Sequence, residues 1–313
     1  MNNKKSLFLT YALVVFSMLF WGTSYVFSSI CLRSVTPILL ILTRLVISAV
    51  MLWLIVLIFY RKEKFALKDL KWLLLLAFFE PFIYFIGETY GLQRVSPIVT
   101  SLIISTIPIF TALFMRLIYH VKLLKINILG IVISFIGVVS MLVNPNMRFD
   151  ADGWGLMFLL IAIFSAVAYG LVLNKLAANI HPVLLIAIQN TIGALYFLPL
   201  CLLWGEKLEI MTVEDIALLS NLPPEFAFWL CILLLSVFSS SLAFIFYSFS
   251  VKQIGITRSN VFTNLIPVFT AITSYILLGE RLTWLKIAGI FIIILGLMLV
   301  QKKRKQKEFS KYN

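Results

Sequence analysis

Charge is what this chain has least of. Asp, Glu, Lys and Arg make up 12% of its 313 residues, against about 25% in an ordinary soluble domain, and that excludes a soluble globular fold. Histidine is nearly absent. The only two, His120 and His181, have no companions at metal-ligand spacing, so no metal site is expected. The three cysteines, Cys31, Cys201 and Cys231, show neither disulfide nor metal spacing and read as small apolar residues. There is no Gly-x-x-x-x-Gly-Lys-Ser/Thr loop to cradle the phosphates of ATP and no Gly-x-Ser-x-Gly elbow. No cofactor is expected, and the chain does not read as an enzyme.

What is present is apolar. Hydrophobic residues reach 62% and fall in long runs, and a run of about 18 or more reads as a membrane-spanning helix. Ten such runs are expected, over 8–30, 37–60, 70–91, 95–119, 126–143, 154–176, 182–204, 227–250, 257–278 and 284–301. The first reads as a span and not as a cleaved signal, since it lacks a small-residue cleavage site and runs into a second span. The longest polar connection is 205–226. The partner of most of the surface is therefore a lipid bilayer.

The net charge of +13 would suit a nucleic acid, but its distribution argues against one. With ten spans both termini lie on one side. Of the 26 Lys and Arg residues, 19 fall on that side and six on the other, with Arg44 inside a span. This is the positive-inside pattern. The basic tail after Val300 then reads as an anchor near anionic lipid. The opposite loops carry acids such as Asp152, Glu206 and Glu280, and Trp72, Trp154, Trp204, Trp229 and Trp284 stand near span ends, where interfacial tryptophans belong.

The chain also repeats itself. Residues 94–141 align with 253–300 without a gap at an offset of 159, with Pro108, Gly130 and Gly137 recurring as Pro267, Gly289 and Gly296. Nearer the start the offset slips, so that Tyr25 meets Tyr169 and Pro37 meets Pro182. The unit is five spans, 1–150, repeated over 151–313. Because five is odd, the copy enters the membrane from the other side. The expected fold is all-α and integral to the membrane, with ten transmembrane helices in two inverted five-helix repeats. Such a build suits alternating access about a midplane site between the repeats.

The run Phe20-Trp21-Gly22-Thr23-Ser24-Tyr25-Val26, then Pro37 and Thr43-Arg44-Leu45, resembles the first two helices of the drug/metabolite transporter superfamily, EamA type. So do the Pro108 helix with Gly130 and Gly137, and the second-half junction Leu278-Gly279-Glu280-Arg281-Leu282. The resemblance covers essentially the whole chain. It implies export of small metabolites or amino acids across a bacterial cytoplasmic membrane, with both termini cytoplasmic. Two features depart from the family pattern: His120-Val121-Lys122 stands where Gly-Glu-Arg is common, and Glu80-Pro81 and Glu88 are not general to it.

Charges inside a span are costly and are functional candidates by default. There are three, Arg44, Glu80 and Glu88. At 1.5 Å per residue, Arg44 falls between the two acids in depth, with Glu80 near midplane. Arg44 admits three readings: an ion pair with a glutamate that fixes spans 2 and 3, a snorkelling cation, or the holder of a substrate carboxylate. Glu80 is the candidate coupling or substrate-binding group, since a midplane carboxyl is placed to exchange protons and its repeat mate Ser239 has none to exchange. The alternative is a hydrogen-bonded structural role. Glu80, Tyr84 and Glu88 form a loose polar stripe expected to face the bundle interior.

Spans 4 and 9 carry matched faces. Ser101, Ser105, Pro108 and Ala112 recur in spacing as Asn260, Asn264, Pro267 and Ala271. Each proline is expected to free the carbonyl four residues back, at Ile104 and Thr263, and these faces to line a cavity. The alternative is close packing of small residues. Trp21, Ser24 and Tyr25, then Tyr169, Gln189, Asn190 and Tyr247, complete the candidate set, with packing as the alternative for each. Gly130, Gly137, Gly289 and Gly296 let spans 5 and 10 pack closely, as scaffold or as a homodimer seam. The expected function is secondary transport of a small solute with protons as the coupling ion. A lipid-linked substrate flippase, an uptake uniporter and a non-transporting membrane scaffold or receptor are the rivals.

Overall fold

A computed structural model describes residues 2–119, 124–142, 152–204, 223–280 and 283–300. Every regular element among them is helical. In chain order these are α1 (Asn2–Cys31), α2 (Pro37–Phe59), α3 (Leu67–Leu92), α4 in two halves (Pro97–Ile104 and Ile107–Tyr119) and α5 (Lys125–Leu142). The second five are α6 (Gly153–Leu176), α7 (Pro182–Leu203), α8 (Glu225–Ile254), α9 (Ile256–Ser259, then Ile266–Leu278 beyond a 3₁₀ turn) and α10 (Trp284–Val300). Six are long and apolar enough to cross a membrane, and the shorter apolar segments fall in α4, α5, α9 and α10. A helix, whole or broken, stands at each of the ten expected spans. The expected tail after Val300, the connection 205–222, His120-Val121-Lys122, Arg281 and Leu282 lie outside the described residues.

Local chemistry sets the helix ends. Pro37 and Pro97 open α2 and α4 with φ already helical, and the hydroxyls of Thr36 and Ser96 accept from the N–H groups of Leu39 (3.5 Å) and Val99 (3.4 Å). α9 stops at Gly279, whose φ of 64° lies in the left-handed region. There the N–H of Glu280 reaches back to the carbonyl of Ser274 at 3.3 Å, a glycine stop that gives the Leu278-Gly279-Glu280 junction its physical purpose.

The helices pair in a pattern that a shift of five positions maps onto itself. α2 packs on α7 and α5 on α10, while α3–α6 corresponds to α8–α1, and α1–α9 to α6–α4. The glycines serve the self-paired contacts. A Cβ on Gly137 would stand 2.7 Å from Ile293 Cγ1, and one on Gly296 would stand 2.6 Å from the Ser134 nitrogen and 2.7 Å from the Gly130 carbonyl. The glycine face of α5 and α10 is thus spent within the chain. Gly296→Leu is expected to force the two helices apart at a cost of about 1–3 kcal/mol, read as an earlier thermal unfolding transition in detergent.

Two α-helices are interrupted where an unbroken helical period was expected. α3 widens into a π-helical turn at Phe78–Ile83, inside which Glu80 leaves helical geometry (φ −143°, ψ 118°) ahead of Pro81. α8 does the same over Leu235–Ala243. At the offset of 159 these turns coincide, so each repeat carries one. The effect of the span 4 and 9 prolines also differs from expectation. α4 breaks outright at Ser105–Thr106, and the carbonyl of Thr263 is not free, because the N–H of Ile266 takes it in a 3₁₀ turn.

Candidate functional site

A cavity of about 470 Å³ lies in the middle of the bundle. α1 lends it Trp21, Ser24 and Tyr25, α2 lends Arg44, and α3 lends Glu80, Tyr84, Phe85 and Glu88. From the second half come Tyr169 and Asn174 of α6, Ser239, Phe244 and Tyr247 of α8, and Asn260 and Thr263 of α9. Ten of the sixteen candidate side chains are therefore in one wall. All three intramembrane charges are among them, and all are buried: Arg44 is 2% exposed, Glu80 7% and Glu88 8%.

The wall reaches exposed Leu171 and Asn174 near the C-terminal end of α6, and Ile256 at the start of α9. The cavity opens at that end. The opposite end is sealed. A buried apolar cluster of Val26, Ile30, Cys31, Phe228, Cys231 and Leu235 joins α1 to α8. Beside it Gly91 and Gly155 let α3 and α6 meet closely, and Arg94 Nη1 donates to Asp152 Oδ2 at 2.7 Å, the one ion pair among the described residues. Asp152 also caps α6 by accepting the N–H of Trp154 at 2.8 Å. The Arg94 hydrogen bond and then this cap hold its carboxyl below the usual carboxylate range.

Arg44 pairs with neither glutamate, which corrects the ion-pair reading. Its Nε donates to Ser240 Oγ at 3.0 Å, and its guanidinium carbon lies 4.0 Å from the centre of the Phe85 ring. The π-helical turn of α8 makes this possible, because the wider turn exposes backbone and hydroxyl groups that an α-helix would bond internally. Asn190 Nδ2 donates to the Ser240 carbonyl at 2.7 Å and to Ser48 Oγ at 2.6 Å, and Ser48 meets Ser241 at 2.6 Å. Asn190 is thus a fastener among α2, α7 and α8 and not a wall residue.

The two acids differ. Glu88 Oε1 accepts from Tyr84 OH at 3.2 Å, and Tyr84 meets Tyr25 OH at 3.3 Å. Glu80 has no hydrogen-bond or ion-pair partner among the described residues, although it is buried in the cavity wall. Ser239, its repeat mate, stands in the same wall, its Oγ likewise without a partner.

The remaining candidates divide. Tyr169 donates to Gln189 Oε1 at 3.2 Å and Tyr247 donates to Asn260 Oδ1, so Gln189 sits behind the wall, and its Nε2 has no partner. Ser24 is in the wall but returns its hydroxyl to the Trp21 carbonyl at 2.8 Å. Ser105 and Pro108 are outside it. Ser101 and Ser105 donate to the carbonyls of Ile98 and Leu102, and the first half of α4 packs on α9. That face serves close packing. Asn264 and Pro267 are buried behind Thr263, with Asn264 Oδ1 unpartnered. Wall residues not singled out from sequence include Phe85, Phe244, Thr111 and Asn174.

Comparison with known proteins follows the same lines. Residues 8–143 and again 153–301 match the EamA-like transporter family. An uncharacterized transporter of Archaeoglobus fulgidus is 24% identical over 285 residues, covering 91% of this chain and 96% of that protein. The uncharacterized transporter YvbV of Bacillus subtilis is 25% identical over 307 residues, covering 96% and 93%. A solved crystal structure, 16% identical, superimposes with a TM-score of 0.67 over 93% of this chain and 97% of its own, and the likeness is one of fold alone.

Proposed function

The chain belongs to the EamA-like transporter family, a multi-pass membrane transporter and not an enzyme, and from that premise we propose that it is a secondary transporter exporting small metabolites or amino acids by alternating access, with protons as the coupling ion. The observation that carries this reading is the central cavity walled by both halves of the chain, which holds Arg44, Glu80 and Glu88 and opens at one end. A scaffold or receptor has no need of three buried charges around a central void, and such charges are maintained only against a cost.

Positive-inside counting puts the termini, and with them the open end of the cavity, on the cytoplasmic side of the cell membrane. The chain is then caught facing the solute it exports. Residues 1–150 and 151–313 act as the two bodies that rock about the cavity, and the paired π-helical turns of α3 and α8 lie where they would bend. The test is a counterflow screen of amino acids and metabolites in proteoliposomes at two pH values. Exchange of at least one solute, faster under a pH gradient, is the expected result, and no exchange across the panel would reject the reading.

The outer seal gives a separate prediction. Arg94→Glu sets a carboxylate against Asp152 and favours the outward-open state, so maleimide labelling of buried Cys31 and Cys231 is expected to accelerate a few-fold. The pair is exposed and screened by salt, so the effect is modest. Because the folded carboxyl of Asp152 titrates below its ordinary value of 3.8, its contribution is present above that value. It is lost as pH falls through the lowered one, so labelling of the native protein should show no pH response from this pair in the neutral range.

A further inference from the structure

Seven aromatic rings line the cavity, and the polar ends of four of them are already in use. Tyr169 donates to Gln189 and Tyr247 to Asn260, while Tyr25 and Tyr84 end in the chain that reaches Glu88. What Tyr169 and Tyr247 offer a solute is therefore ring surface. Trp21 lies among them, with its ring centre 5.1 Å from that of Tyr247 and 5.1 Å from that of Phe244, and Tyr169 stands 6.3 Å from Phe244. Glu80 stands in the same wall as Tyr169 and Tyr247.

The charge in this wall is unbalanced. It holds two carboxylates and one guanidinium, with no lysine or histidine. Arg44 is engaged by Ser240 and lies over Phe85, and Glu88 is engaged by Tyr84. Among the described residues Glu80 is the one of the three that is buried with no hydrogen-bond or ion-pair partner, and a buried carboxylate left so is costly. A solute that supplied a cation would remove that cost. Aromatic faces around the same point attract a cation through their ring quadrupoles, whereas an anion would meet an excess of negative charge.

On the reading of the cavity as the solute site, we infer that the group recognised there is an organic ammonium, seated on Glu80 among the rings of Trp21, Tyr169 and Tyr247. The solute is an amine of small to moderate size, and a carboxylate on it is not required. Glu88 is a positioning residue, which holds Tyr84 and Tyr25 in place and does not take the ammonium itself.

The test is calorimetric titration of the full-length protein in detergent with phenethylamine, with 2-phenylethanol, which lacks the charge, and with 3-phenylpropanoate, which reverses it. The amine is expected to bind, with the alcohol at least about tenfold weaker and the carboxylate without measurable affinity, since hydrogen bonds to charged groups are worth about 10- to 100-fold. Glu80→Gln is expected to lose that advantage, and to lose more of it than Glu88→Gln does. Equal or tighter binding of the carboxylate, no binding of the amine, or unchanged amine affinity in a folded Glu80→Gln protein would overturn the assignment. The ranking of the three compounds on the native protein decides the matter even if that variant does not fold. Amine binding without flux would reject the transport reading and leave this one standing. Flux of some other solute without amine binding would do the reverse.

Discussion

Glu80→Gln is expected to cut solute flux in proteoliposomes by about 10- to 100-fold and to leave the remainder insensitive to an imposed pH gradient. The reasoning starts from what surrounds the carboxyl. It shares the cavity wall with Glu88 and Tyr84 of its own helix, Arg44 of α2, Tyr25 of α1, Tyr169 of α6 and Tyr247 of α8. Ordinary tyrosine and arginine side chains keep their protons throughout the neutral range, which leaves the two carboxyls as the candidates to exchange protons. Glu88 is held by Tyr84 at 3.2 Å. Glu80 has nothing to release before it binds a proton or a solute cation. The two would then compete for one carboxylate, which is the condition for moving one against the other. Glutamine is nearly isosteric and keeps the shape of the wall while removing the titration. The measurement is initial rate against external pH for the native protein, Glu80→Gln and Glu88→Gln. A native pH profile in Glu80→Gln would make the residue structural and end the coupling role.

The sequence made the charged part of this site legible because charges inside spans are rare. Arg44, Glu80 and Glu88 declare themselves by cost alone, and α2 and α3 bring them into one wall. Trp21, Tyr25, Tyr169 and Tyr247 followed from the match between repeats. Phe85 and Phe244 could not be separated from the other phenylalanines, since among 27 of them an apolar ring in a wall looks like an apolar ring in lipid. The serine face of α4 misled for another reason. A serine can satisfy itself on the carbonyl three residues back, as Ser101 and Ser105 do, so a serine stripe sets no demand for a cavity. Asn260 has an amide to satisfy on both ends and does reach the wall.

The fold was legible to the level of ten helices because span length and repeat offset are coarse, additive signals. The π-helical turns were not, since a helical period read from apolar spacing assumes that nothing is inserted. Pro81 and the run Ser239-Ser240-Ser241 were the available hints. They matter for the site, because the turn in α8 presents Ser240 to Arg44 and its carbonyl to Asn190. Without it the guanidinium would have no fixed hydrogen-bond partner in α8 and would be freer to swing toward a glutamate.

Arg44→Ala is expected to be the most damaging single change in the chain. It removes the only cation from a wall that holds two carboxylates and uncovers Ser240 Oγ and Phe85. Taking one member out of a buried set of charges costs about 3–5 kcal/mol, so the unfolding transition in detergent should move sharply downward and flux should disappear. Arg44→Lys should not rescue it. The ammonium keeps the charge but cannot bond through Nε while lying flat over a ring, and the two cations differ most at stacked, directional sites. Two explanations, loss of charge balance and loss of a specific contact, separate in the double variant Arg44→Ala/Glu88→Gln. If Arg44 acts chiefly to balance charge, the double variant regains much of the stability lost by the single one, and the coupling between the two sites is large. Recovery of stability without recovery of flux would assign Arg44 a part in holding the solute as well. Native stability and native flux in Arg44→Ala would mean that the guanidinium merely reaches along the helix to water, and the electrostatic account of the cavity would fall with it.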